Sequence, residues 1–131
     1  MCNSLPSYTA NLTSKYKDLR EVMQDKELAA LGDAIVNFLY SLALSVKEGR
    51  PIGVKVNSRV LSDSLTKAGL RNLLPSRLDR HHKADAAEAV IAYMFLRGKL
   101  SIKRAIDTLS VYEDPIEAFT QLLIKIKQEA I

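Results

Sequence analysis

One carboxylate sits inside a long apolar helical run: Leu28-Ala-Ala-Leu-Gly-Asp-Ala-Ile-Val-Asn-Phe-Leu39, with Asp33 at its middle. A carboxylate buried among apolar helical residues is costly unless a cation or a hydrogen-bond network compensates it. A second stretch, Ala84-Asp-Ala-Ala-Glu-Ala-Val-Ile-Ala92, repeats the arrangement with Asp85 and Glu88. Two acidic helices in one small chain suggest a divalent-metal site.

Helical spacing runs through nearly the whole sequence. It predicts an amphipathic helix over about 11–23, with Leu12, Tyr16, Leu19 and Met23 on one side. A long helix starts near Asp25 and continues to about Val46, ending at the breaker Lys47-Glu-Gly-Arg-Pro-Ile-Gly53. A connector carrying Val54 and Val56 reads as extended. Asn57 or Ser58 then caps a helix that Gly69 terminates, and residues 70–74 add a short turn. Residues 76–83 read as a dense basic loop before a helix over about 83–97 that stops at Gly98. Ser101 caps another helix to about Tyr112. Pro115 opens the last, with Ile116, Phe119, Leu122, Leu123 and Ile126 at helical intervals. No strand alternation and no repeat is visible, so the expected fold class is all-α.

The 131 residues suit a single domain spanning 1–131, with room for one core. A lone cysteine, Cys2, leaves no internal disulfide and fits a reducing compartment. The longest uninterrupted apolar run, residues 89–96, is far short of a membrane span, and no signal-peptide pattern opens the chain. The expectation is a soluble, cytoplasmic protein without membrane contact. Charge is distributed unevenly. From Lys47 to Lys83 nine basic residues face only Glu48, Asp63 and Asp79, a net +6 within a chain of net +4. That asymmetry favours a polyanionic partner, nucleic acid first, against the plainer reading of a solvated basic surface.

Asp33, Asn37, Ser41 and Ser45 recur every four residues, a thin stripe of short polar groups along the long helix. Short groups suit a helix packed closely against another helix or against its own symmetry mate, and Gly32 beside Asp33 fits a close backbone approach. Asp85 and Glu88, three residues apart, share one helix face. An acidic pair near a helix N-terminus is also explained by the macrodipole alone, whereas Asp33 in mid-helix is not.

Leu31-Gly-Asp-Ala-Ile, followed some fifty residues later by Ala84-Asp-Ala-Ala-Glu-Ala-Val-Ile-Ala92, resembles the catalytic domain of the ribonuclease III family. Its signature helix reads roughly Glu-x-x-Glu-x-Leu-Gly-Asp-Ala, and a later helix reads Ala-Asp-x-x-Glu-Ala-x-Ile-Gly. Residues 57–70 look like the helix connecting the two. The resemblance covers about 25–110, and the layout, without an appended double-stranded-RNA-binding domain, is similar to the Mini-ribonuclease III type.

The resemblance implies a helical endonuclease-domain bundle, a homodimer paired through the signature helix, and an RNA-binding valley across both subunits. It places Asp33, Asp85 and Glu88 at the catalytic, metal-holding carboxylates, with Mg²⁺ (or Mn²⁺) activating water for phosphodiester hydrolysis. Asn37, one turn beyond Asp33, could add an outer-shell oxygen. Lys55, Arg59, Arg77, Arg80 and Lys83 would hold phosphates of double-stranded or structured RNA. The basic stretch lacks aromatic residues for stacking on single strands. The chain departs from the family where the two signature glutamates fall on Lys26 and Ala29. Three alternatives therefore stay open. The chain could be a catalytically inactive ribonuclease III-like RNA-binding or structural module, with Lys26 neutralising the pocket. It could be a metal-independent nuclease of the HEPN type, using Arg77-Leu-Asp-Arg-His-His82. Zinc held by His81 and His82 is a third reading, disfavoured because adjacent histidines point apart and no cysteine joins them.

Overall fold

The structure, a computed structural model, describes residues 5–130. Cys2 lies outside them. The described residues form helices α1 (Leu5–Thr13), α2 (Leu19–Met23), α3 (Lys26–Glu48), α4 (Ser58–Lys67), α5 (Arg80–Leu96), α6 (Ile102–Leu109) and α7 (Pro115–Ala130), with a 3-10 turn at Arg71–Leu73. No strand occurs among them, as the sequence predicts.

At the centre lies α5, whose residues from Ala84 to Leu96 are almost all buried. Its run of alanines lets neighbouring helices come close, and α3, α4, α2, α1 and α7 all pack on it. The most extensive contact is α3 against α5. Gly32 makes it possible: a Cβ there would overlap the carbonyl oxygen of Glu88 and sit 2.6 Å from its carbonyl carbon. The close approach expected at Gly32 is therefore present, and its partner is α5. Around this pair, α7 buries Ala118, Phe119, Leu122, Leu123 and Ile126, while Ser64 of α4 donates a 3.0 Å hydrogen bond to the Ile116 carbonyl.

Helix ends follow local chemistry. Asp25 caps α3 by accepting from the backbone N–H groups of Glu27 (2.9 Å) and Leu28 (3.1 Å), and Gly49 closes the helix in the left-handed region at φ 73°. Asn57 caps α4 through Val60 N–H, and Ser101 caps α6 through Arg104 N–H. In three places the elements differ from the expected ones. The helix predicted over 11–23 is two helices, because Asp18 accepts from Glu21 N–H and starts a new helix after the Ser14–Lys15 turn. Helix α5 begins at Arg80, since Asp79 caps it by accepting from His82 N–H at 2.9 Å. Arg80, His81, His82 and Lys83 thus belong to its first turn and not to a loop. Helix α6 ends at Leu109, short of Tyr112.

By length and mean hydropathy (1.5 over its most apolar window) α3 is apolar enough to cross a bilayer, although polar residues interrupt its apolar run. Within the fold it packs on α5 and α6. Its small-polar stripe also has a different use from the one expected. Asn37, Ser41 and Ser45 face the extended connector 52–56 of the same chain and bond to its backbone. They are occupied by the chain's own connector rather than by a second helix. The apolar residues Leu31, Phe38 and Val46 occupy a different side of α3 and are 42%, 48% and 61% exposed.

Candidate active site

Asp33 lies one residue beyond Gly32, so the close crossing of α3 and α5 carries it directly to Glu88. Glu88 is 8% exposed and hydrogen-bonds to Asp33. Its carboxyl is pushed up to about 8, first by burial, then by the Asp33 hydrogen bond and the neighbouring charges of Asp33 and Asp85; Lys55 pulls the other way. In the absence of a cation Glu88 therefore keeps its proton near neutral pH.

The pair opens into a cleft of about 630 Å³. Asp85 lines it, three residues from Glu88 on the same face of α5. Because α5 starts at Arg80, Asp85 is in its second turn, beyond the free N–H groups of the helix end. Asp79, not Asp85, is the capping carboxylate. His81 lies on the same face, four residues before Asp85, and also lines the cleft. Sequence reading gave it no specific place in the site, since the predicted start of α5 left it in a loop; with the helix begun at Arg80, the spacing 81/85/88 identifies it. Asn57, Ser58, Lys26 and Lys55 complete the polar rim, and Ala29 forms part of the floor.

The expected residues divide sharply. Asp33, Asp85, Glu88 and Lys55 meet in one cleft. Asn37 stands beside it: its Nδ2 donates to Asp33 Oδ1 at 3.4 Å while its Oδ1 accepts from Val56 N–H at 2.8 Å. The oxygen assigned to an outer shell is thus engaged by backbone, and the amide acts on Asp33 through its nitrogen. Arg59 lies outside the walls, its guanidinium 3.7 Å from Asp63. Arg77, Arg80 and Lys83 do not line the cleft either; Arg77 and Arg80 are exposed around the start of α5. Lys47 is turned away altogether, held by the Tyr112 carbonyl (3.3 Å) and Glu113 (3.1 Å). His82 lines a neighbouring hollow of about 200 Å³ with Met23, Leu74 and Leu78, which shares Lys26 and Asp85 with the cleft, and its Nδ1 is 2.7 Å from Asp79 Oδ1. Arg77 and His82 therefore do not line the carboxylate cleft, and His81 and His82 line different hollows.

The donor chemistry suits a hard divalent cation. Glu88, buried, and Asp33, half-buried beside it, are oxygen donors of the kind such a cation takes, and Glu88 must release its proton to bind one. Among the described residues, however, no three His, Cys, Asp or Glu side chains converge tightly enough to hold a metal ion. Asp85 borders the cleft without closing a three-ligand set, and waters or substrate oxygens would fill the remaining positions.

No curated protein matches the chain. A family model described as Ribonuclease III matches residues 26–129, from the first residue of α3 almost to the end of α7. That match, and an all-α fold whose two acidic helices meet at Gly32, identify the chain as a member of the ribonuclease III family.

Proposed function

We propose that the protein is a divalent-metal-dependent endoribonuclease that hydrolyses phosphodiester bonds in double-stranded or structured RNA, acting as a homodimer in the cytoplasm. The observation that carries the reading is the meeting of Asp33 with the buried Glu88 in a cleft edged by Lys26, Lys55 and His81. Asp33 and Glu88 would hold Mg²⁺ or Mn²⁺, with Asp85 assisting from the wall. Bound there, the ion would activate water and offset charge developing on the phosphoryl oxygens. Glu88 must release its proton for this, so metal affinity rises with pH until about 8. Asn37 holds Asp33 in orientation, and Lys26 and Lys55 attract the phosphate backbone. Arg59, Arg77, Arg80 and Lys83 would extend the contact along a duplex, whose A-form is read by shape and 2′-hydroxyls.

The test is cleavage of a labelled RNA duplex with Mg²⁺ or Mn²⁺ against an EDTA control. Glu88→Gln is expected to abolish cutting and leave duplex binding intact; undiminished cutting by that variant removes the mechanism. A second reading, an inactive RNA-binding member of the family, is favoured by Lys26 and Ala29 at the signature glutamate positions. Binding by the wild type with no cutting under either metal would establish it.

A further inference from the structure

The connector after α3 is fastened to that helix by a regular ladder. Ser45 Oγ accepts Ile52 N–H at 2.8 Å, Ser41 Oγ accepts Val54 N–H at 2.9 Å, and Asn37 Oδ1 accepts Val56 N–H at 2.8 Å. The two hydroxyls also face the Ile52 and Val54 carbonyls, each at 3.2 Å. The register is dictated by dimensions. Four residues of helix rise about 6 Å, and two residues of extended chain cover about 6.6 Å, so rungs at 45, 41 and 37 meet backbone at 52, 54 and 56 running the opposite way. Every second connector residue is thereby bonded to the helix, and Gly53 and Lys55 between them are left exposed.

Lys55 sits between the last two rungs, and the ladder ends at Asn37, whose amide also touches Asp33. The cation is thus delivered to the carboxylate cleft by a segment with no freedom to slide. We infer that Asn37, Ser41 and Ser45 are positioning residues that hold Lys55 over the cleft as a phosphate-binding group for the RNA backbone. The inference rests on the RNA-binding part of the function proposed above and not on catalysis. A free loop would spread the Lys55 ammonium over many positions; a laddered one leaves only side-chain torsions to be fixed when a phosphate binds.

The experiment measures binding of a blunt RNA duplex, in EDTA so that nothing is cut, across a salt series. It compares wild type, Lys55→Met, the pair Ser41→Ala/Ser45→Ala, and the triple variant. Lys55→Met is expected to weaken binding and to reduce the log–log salt slope by about one. The serine pair should reproduce most of that loss, and the triple variant should bind no more weakly than Lys55→Met alone. Ser41→Thr, which keeps the hydroxyl, should bind as wild type. Faster amide exchange at Val54 and Val56, with α5 still protected, would show that the serine pair releases the ladder in a folded protein. Should the pair not fold, Ser41→Ala alone carries the same comparison.

An equal loss from the serine changes with and without Lys55 would mark the ladder as merely structural and overturn the inference. So would an unchanged salt slope in Lys55→Met, or unweakened binding in the serine pair. Duplex binding by a wild type that fails to cut with Mg²⁺ or Mn²⁺ would remove the nuclease reading and leave this inference standing. A wild type that binds no duplex would remove both.

Discussion

Glu88 ties stability to pH in a direction opposite to most carboxylates. Its folded-state value of about 8 lies above the ordinary 4.5, so its stabilising contribution is complete below about 4.5 and is lost as pH rises through 8. The metal-free protein should therefore melt at progressively lower temperature between pH 5 and pH 9. Glu88→Gln, which keeps the hydrogen bond to Asp33 without a titrating proton, should flatten that decline. Thermal melting in EDTA across this range checks both, and an equal decline in the variant would move its origin elsewhere. The acidic pair was legible in the sequence because a mid-helix Asp33 has no capping role to explain it. Asp85 was harder to place. Its role depended on where α5 starts, and one exposed capping residue, Asp79, moved that start forward by a turn.

Among the elements, α3 is fixed at its first turn by a small network. Tyr16 O–H donates to Asp25 Oδ2 at 2.6 Å, and the Lys15 ammonium is 3.2 Å from the same oxygen. The Tyr16 hydrogen bond is the leading reason that the Asp25 carboxyl falls to about 2, so the cap stays ionised well into acid. Tyr16→Phe should cost about 1.5–3 kcal/mol in denaturant unfolding, the range for a lost hydrogen bond to a charged group. An unchanged midpoint would show that the lysine suffices. Long periodic elements such as α3, α5 and α7 were readable from spacing. The split between α1 and α2 was not, because Leu12, Tyr16, Leu19 and Met23 keep helical spacing across a real break. The stripe 37/41/45 was seen but misassigned: periodicity shows that short polar groups share a face, and nothing in it tells an extended segment of the same chain from a second helix.

For the whole molecule, the exposed apolar residues of α3 are the surface a second copy would cover in the proposed homodimer. Phe38→Glu would place a charge at its middle and should shift the protein from dimer to monomer in sedimentation, with the melting profile of the protomer retained. A wild type that sediments as a monomer at all concentrations would remove the dimer. The basic residues before and within the first turn of α5 act at longer range than the cleft. Arg77→Ala with Arg80→Ala should weaken duplex binding uniformly and reduce its salt slope by about two, and an unchanged slope would take this end of α5 out of the RNA contact.

The backbone contact between Gly32 and Glu88 has a kinetic counterpart. Where two helices touch main chain to main chain, no rotamer change can open a gap, and separating them requires the α3–α5 core to come apart. The amides flanking the carboxylate pair, from Leu31 to Ala34 and from Ala87 to Val90, should then exchange with deuterium only through global unfolding. Amides at the start of α5 should exchange orders of magnitude sooner. A carboxylate pair held this way would stay assembled through the local breathing that exposes the surfaces around it.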